Sequence, residues 1–366
     1  MPFAVTAEII TNQRSLPMSR TYGVGLIGCG VISSVHFQAL QRLPNARLVA
    51  TCDVIEQRAR DAAAHYEAEA YYTDLNDLLA RDDIDYVHIT TPSSHHHTAS
   101  IAASRAGKHS FVTKPMDVTL ENIDAMIAAA TEADVVLAAV HQFRTYGSYG
   151  ALRTAIEQGR LGTLYYGNAF VPWWREQSYY TDRWQGTWEF DGGGALMNQS
   201  VHWVDLLLWM MGEVESVGGY AATMAHDMET EDIGSAAIQF RSGAQGVLQG
   251  TTCTYKGLPS RLSIHGSRGN VIIDADKITH WDVEGEEGPD SIRPGEGTDD
   301  ATSAADPRAG LGDAVGAHAL QIEAFLAAIE GRGEPVVPAA EARRAVEFNL
   351  AVYESQRTGN KVTLPL

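Results

Sequence analysis

Cysteine is scarce in this chain: Cys29, Cys52 and Cys253 are the only three among 366 residues. Thiols so widely spaced build neither a disulfide framework nor a paired-cysteine metal site, so no metal is expected. They fit a reducing compartment, and a cytoplasmic location is the expectation. Basic charge is also short, with 27 Lys and Arg against 46 Asp and Glu and a formal net charge of −19. Such an excess of acid repels phosphate backbones and anionic lipid surfaces, so neither nucleic acid nor a membrane is an expected partner. An anionic small molecule in a local basic pocket stays compatible with it. Long apolar runs are missing too: stretches such as Val135–Val140 and Val204–Met211 fall well short of a bilayer span. The first twenty residues lack a basic start, a long apolar run and a small-residue cleavage site. Residues 1–20 therefore read as an N-terminal extension.

What is present is ordinary globular material, 45% hydrophobic and 20% charged, in a length that suits two domains. From residue 21 to 145, short apolar runs alternate with helical stretches. Strands are expected at 23–27, 47–52, 86–89, 110–113 and 135–140, with helices at 33–42, 56–66, 74–79, 98–106 and 120–133 between them. That alternation predicts a doubly wound parallel sheet covered on both faces, a Rossmann-type α/β domain. After Tyr146 the pattern changes. Helices are expected at 151–158 and 202–211, and a strand at 164–170. From 217 to 283 strands and tight turns follow one another, which predicts an antiparallel meander. Residues 284–313 hold nine acids against Arg293 and Arg308 and read as a solvated loop. Helices at 315–329 and 339–355 close the chain. Residues 146–366 are thus expected to form a second, α+β domain with an open, largely antiparallel sheet. An apolar sheet face left open to water is an association site, so a homodimer or homotetramer is expected.

The turn Gly28-Cys29-Gly30-Val31-Ile32-Ser33 stands directly between an expected strand and an expected helix. In that context Gly28 permits the tight turn, and Gly30 lets the backbone approach a pyrophosphate. Val31 and Ile32 lead into a helix start whose free N–H groups and dipole attract phosphate. Asp53 ends the second strand 25 residues after Gly28, where a carboxylate can accept hydrogen bonds from ribose hydroxyls. An acid there repels a 2′-phosphate and favours NAD, while Arg58 and Arg60 nearby leave NADP open. Farther on, the segment 173–188 is dense in aromatic and polar side chains. Trp174 could stack on a sugar face, and Arg175 could hold a carboxylate or phosphate. His95, His96 and His97 are consecutive, so their side chains diverge and do not make a metal site.

Several ordered segments resemble the glucose–fructose oxidoreductase/inositol dehydrogenase/rhizopine-catabolism family. They are 90–96 (TTPSSHH), 106–109 (AGKH), Thr113-Lys114-Pro115, 159–162 (GRLG) and 192–205 (GGGALMNQSVHWVD). The resemblance spans about residues 22–366 and implies a nicotinamide dinucleotide in the first domain. It extends the cofactor set to Thr91, Pro92, His96, Lys114 and Gln142, and gives Lys114 a role in substrate contact and proton transfer. The family pattern has Glu-Lys-Pro where this chain has Thr113-Lys114-Pro115. It also has Asp-x-Gly-x-His where this chain reads Asn198-Gln199-Ser200-Val201-His202, so only the histidine maps unchanged.

Oxidising an alcohol removes a hydride from carbon and a proton from oxygen, so a positioned base is needed. A neutral His202 suits that task with Lys114 as its electrostatic partner, the reverse assignment with Lys114 as base stays open, and Asn198 orients a hydroxyl. The expected activity is NAD(P)-dependent oxidation of a ring hydroxyl in a sugar, sugar derivative or cyclitol. Two other outcomes stay open: a redox-neutral, NAD-assisted glycoside-processing enzyme, or a dinucleotide-binding sensor without chemistry.

Overall fold

The computed structural model describes residues 20–286, 288 and 313–366. The expected N-terminal extension, apart from Arg20, and most of the expected acidic loop lie outside the described residues. Two compact units emerge: one holds the chain up to Thr145 together with Asp313–Ala342, and the other holds the remainder.

In the first unit the strands are β1 (Tyr22–Ile27), β2 (Ala46–Cys52), β3 (Ala70–Tyr72), β4 (Tyr86–Ile89), β5 (His109–Val112) and β6 (Leu137–Ala139). They form one sheet in the order β3-β2-β1-β4-β5-β6, and every pairing is parallel. All six residues of β1 are buried, as a strand covered on both faces requires. The helices between strands are α1 (Ser33–Gln41), α2 (Glu56–Tyr66), α3 (Leu75–Leu79), α4 (His96–Arg105) and α5 (Leu120–Glu132). Asp74 and Thr119 cap α3 and α5 by accepting the amides of Asn76 and Asn122.

The order reverses between β1 and β4, and the glycine turn leaves the carboxyl end of β1 at that switch point. One element belongs here against expectation. Helix α9 (Ala314–Ile329) packs Ala319, Ile322, Phe325 and Leu326 into the core formed with Val24, Leu40, Tyr86 and Phe111. Residues 336–338 then cover the β6 edge, where Ala139 donates its amide to the Val337 carbonyl. The second unit is therefore not the contiguous 146–366 that the change of pattern suggested. Helix α9 is too apolar to remain on a surface, and the first sheet is what it covers.

The second unit carries α6 (Gly147–Glu157), β7 (Leu164–Pro172), α7 (Trp188–Asp191), a π-helical turn at Ala195–Gln199 and α8 (Val201–Met211). After these come β8 (Val214–Ala222), β9 (Ile233–Phe240), β10 (Gln245–Thr251), β11 (Arg261–Gly266), β12 (Gly269–Asp274) and β13 (Lys277–Val283). Helix α10 (Ala339–Thr358) and β14 (Val362–Thr363) end the chain. The eight-stranded sheet runs β13-β12-β11-β7-β10-β9-β8-β14. It is antiparallel except where β7 inserts beside β10 in parallel, so the meander is interrupted at its centre. Helix α8 packs on β7, where Gly167 leaves room for Met211. The opposite face leaves Tyr166, Phe170, Tyr220 and Val247 exposed.

Candidate cofactor and substrate site

In the first unit the glycine turn is shaped by close approach. Gly28 has φ +93°, and a Cβ there would meet the Thr91 amide nitrogen at 2.6 Å. Only glycine satisfies both conditions. At Gly30 the space around a Cβ is empty to 4 Å, which is the room a pyrophosphate needs. Ser33, standing where a third glycine or alanine is usual, is buried and turns its hydroxyl back to the Gly30 carbonyl at 2.6 Å. Ile32 offers no side-chain cap to α1, whose first amides, those of Ser33, Ser34 and Val35, turn back to the carbonyls of Gly30, Val31 and Ile32. Val31 stays exposed beside them.

Asp53 reaches under the turn, accepting the Cys29 amide at 2.8 Å and the Ile55 amide at 2.9 Å. Each of its oxygens keeps a further lone pair for a ribose hydroxyl. Arg60 is engaged by Glu56 and Tyr71, whereas Arg58 is exposed. An open phosphate approach at Gly30 and an anchored acceptor at Asp53 together fit a dinucleotide.

The loops after β4 and β5 are tied together by His96. Its Nδ1 lies 2.9 Å from the Pro115 carbonyl and its Nε2 lies 3.0 Å from the Thr91 carbonyl. Burial pulls its pKa below the ordinary value, against the opposing influence of Asp117 and these carbonyls. His96 has no exposed surface. The expected ligand contact is thus corrected: the ring faces inward because it clamps the loop of Thr91 and Pro92 to the residue after Lys114. Lys114 itself is half-buried. The other two histidines diverge as expected, His95 toward Ser94 and His97 toward the buried carboxylate of Asp117. Gln142 is buried on the turn after β6.

In the second unit Asn198 and His202 are 8% and 4% exposed. Asn198 lies in the π-helical turn and His202 in the first turn of α8, four residues on. Two buried carboxylates that sequence reasoning missed hold this turn. Glu231 accepts the amides of Gly194 at 3.0 Å and Leu196 at 2.8 Å, and the Tyr353 hydroxyl at 2.9 Å. Burial pushes its carboxyl up to about 7. Asp191 accepts Asn198 Nδ2 at 2.6 Å and the Gly186 amide at 2.9 Å. Glycines 193 and 194 are needed because a Cβ at either would collide with Tyr353 or with the Glu231 carbonyl. An acid directly before three glycines was the only local signal for Asp191. Glu231 and Tyr353 gave none, since they come from distant segments.

Arg175 reaches the same turn. It is buried, stacks on Trp173 and Tyr179, and donates to the Trp174 carbonyl at 3.1 Å and to Gln199 Oε1 at 2.9 Å. Its planar head braces the π-helical turn. Trp174 is half-buried beside Tyr255 and His226. His226, Asp232 and Cys253 come within metal-ligand distance of one another. Their donors and acceptors are already matched, however: Asp232 accepts the amides of Met224, Ala225 and His226 and faces the His226 ring. His226 Nε2 faces the Arg175 carbonyl, and the Cys253 thiol faces the Asp232 carbonyl. The cluster folds a loop.

Comparison with known proteins agrees with this geometry. Residues 22–141 match the oxidoreductase family model with an NAD-binding Rossmann fold, and residues 149–272 match the GFO/IDH/MocA C-terminal domain. Among solved structures, the WlbA dehydrogenase of Bordetella pertussis, in complex with NADH and UDP-GlcNAcA, is 35% identical with a TM-score of 0.83. That match covers 95% of this chain and all of the other. The 1,5-anhydro-D-fructose reductase of Ensifer adhaerens is 27% identical over 342 residues, 92% of this chain and 96% of the relative. The D-apiose dehydrogenase of Paraburkholderia graminis is 25% identical over 381 residues, 99% of this chain and 94% of the relative. The first unit is an NAD-binding Rossmann domain, and the chain belongs to the GFO/IDH/MocA family of oxidoreductases.

Proposed function

We propose that the chain oxidises a ring hydroxyl of a sugar, sugar derivative or cyclitol to a ketone. The observation that carries this reading is the Asn198–His202 pair, both nine-tenths buried on a turn clamped by buried acids. Bound NAD supplies the hydride acceptor. His202 takes the hydroxyl proton as general base, and Asn198 fixes the direction of that hydroxyl. Lys114, as an ammonium, stabilises charge developing on the alcohol oxygen. Trp174 offers an aromatic face to the CH side of the ring. The relatives support the substrate class: they include dehydrogenases of inositol, apiose and levoglucosan, and a structure holding UDP-GlcNAcA.

The test is NADH formation from UDP-GlcNAcA, levoglucosan, D-apiose and myo-inositol, with His202→Ala as the control. One of these compounds is expected to yield NADH. The variant should lose roughly 100- to 10,000-fold in kcat while binding NAD normally. A normal rate in the variant sinks the assignment of the base. Altered sugar without net NADH would indicate the redox-neutral cycle instead.

The open sheet face with Tyr166, Phe170, Tyr220 and Val247 supports pairing of copies into a homodimer or homotetramer. Light scattering should return a multiple of 39.6 kDa. Three free thiols and the absence, among described residues, of any helix able to cross a membrane support a cytoplasmic location.

A further inference from the structure

Arg175 carries a permanent positive charge into the second unit, where it is 3% exposed, about as little as His202 at 4%. A guanidinium has five N–H groups to place. One on Nη1 meets the Trp174 carbonyl at 3.1 Å and one on Nη2 meets Gln199 Oε1 at 2.9 Å. Nε is buried without an acceptor. The rings of Trp173 and Tyr179, centred 5.2 and 5.4 Å from the guanidinium carbon, offer π faces and no formal charge. Among the described residues no carboxylate forms an ion pair with Arg175. Arg144, buried in the first unit, is by contrast paired with Glu341. A buried cation without an anion is costly to the fold, and a bound anion offsets that cost.

The groups around Arg175 are set to receive one. Arginine only donates, so the Gln199 atom facing it is the oxygen, and the Gln199 nitrogen lies 3.0 Å from the Tyr179 hydroxyl. Tyr179 therefore accepts from Gln199, and its own hydrogen meets no acceptor among the described residues. Burial, with a smaller push from Asp191, raises the Tyr179 pKa against the pull of Arg175, Gln199 and Arg183, so the hydroxyl keeps that hydrogen. Gln199 directly follows Asn198 on the π-helical turn, which brings these donors to the turn assigned to substrate. The chain as a whole, at −19, repels anions, so an acidic ligand needs a local group of this kind.

We propose that Arg175 and Tyr179 form a carboxylate subsite, and that the substrate of this chain is a sugar acid. It rests on the reading of the Asn198 turn as the sugar site. One guanidinium is neutralised by one carboxylate. A phosphate monoester brings about two negative charges, and the other arginine acting on Tyr179, Arg183, is exposed. The excess charge would then stay buried.

Calorimetry on the full-length protein with NADH bound tests this without turnover. D-glucuronate, D-glucose and D-glucose 6-phosphate differ only at the sixth carbon, and UDP-GlcNAcA with UDP-GlcNAc gives a second comparison. In at least one set the acid should bind roughly tenfold or more tighter than its neutral partner, and D-glucuronate should bind tighter than the phosphate. Arg175→Met should weaken the acid roughly 10- to 100-fold and the neutral sugar less than about threefold. A loss of folding alone would not spare the neutral sugar. Tyr179→Phe keeps the ring against Arg175 and removes the donor. It should cost the acid about tenfold, and it decides the matter if Arg175→Met does not fold. Equal binding of acid and neutral sugar, tighter binding of the phosphate, or an acid preference kept in both variants overturns the proposal. So does failure of both acids to bind. If an acid binds through Arg175 and is not oxidised, the functional reading fails and the subsite stands. If a neutral sugar is oxidised and neither acid binds, the subsite fails and the functional reading stands.

Discussion

The two units hold their functional groups by opposite means. In the first, the determinants are backbone: a glycine turn, a helix start and one acid at a strand end, all within about thirty residues of sequence. In the second they are side chains on one short turn, braced by Asp191 from just before it, Glu231 from the segment that precedes β9 and Tyr353 from α10. A backbone site is defined by space and dihedral angle, whereas a side-chain site depends on buried charges that must each be satisfied. The first kind fails when a methyl group is added, and the second fails when a partner is removed.

The sharpest way to break the comparison is with single methyl groups. Gly28→Ala forces a Cβ to 2.6 Å from the Thr91 amide nitrogen at a φ that disfavours alanine, and should destabilise the first unit by about 3 kcal/mol. Gly30→Ala meets nothing within 4 Å. It should leave the melting temperature unchanged and still weaken NAD at least roughly tenfold, because the new methyl occupies the phosphate approach. Gly193→Ala, which presses on Tyr353, should do the reverse: NAD binding kept, turnover lost. Calorimetry and a fluorescence titration with NADH separate the three. Equal effects of Gly28→Ala and Gly30→Ala on stability would refute the claim that one glycine serves folding and the other the ligand.

The same contrast explains what could be read in the sequence. Strand, glycines, helix, second strand and Asp53 are in register along the chain, so the dinucleotide half was legible from spacing. Asn198 and His202 were legible from the resemblance, but their supports were not. Glu231 is 33 residues beyond Asn198 and Tyr353 is farther still, and nothing local marks a glutamate two residues before a strand as the cap of a remote turn. His96 was legible as important and misread as a ligand contact. A polar side chain that ties two loops together looks in sequence like one that faces a ligand, and what marks His96 as a tie is that both ring nitrogens meet backbone carbonyls. Helix α9 was found at its correct place in the chain and assigned to the wrong domain, because sequence order does not say which core an apolar face will join.

A second way to sharpen the comparison is pH, where the units carry opposite signs. The first buries His36, His88 and His318 together, with His36 Nδ1 2.9 Å from His88 Nδ1. Burial lowers all three, His88 to about 3 and His318 to about 4. Below about pH 6.5 the unfolded chain binds protons that the folded one refuses, so this stability is lost as pH falls toward 4. The loss is on the order of 3 kcal/mol for each of His88 and His318. Glu231, raised to about 7, works the other way. The folded state holds its proton more tightly, so stability falls by a similar amount as pH rises from about 4.5 to 7. His318→Gln should flatten the acid limb of a melting profile and Glu231→Gln the limb approaching neutrality. Unaltered slopes in both variants would remove the assignment.

The smallest expected effect concerns the one charged group on which the backbone site relies. Asp53 is bound to the amides of Cys29 and Ile55, so its carboxylate is held in place before any cofactor arrives. A fixed negative charge repels a 2′-phosphate, and exposed Arg58 stands close in sequence to attract one. Asp53→Asn keeps an oxygen for one of the two amides and removes the charge. The ratio of kcat/KM for NADP to that for NAD should rise roughly tenfold, equivalent to about 1.4 kcal/mol. Adding Arg58→Ala should return most of that gain, because the arginine is then what attracts the phosphate. A ratio unmoved by Asp53→Asn would mean that cofactor choice is set by the shape of the loop after β2 and not by its charge.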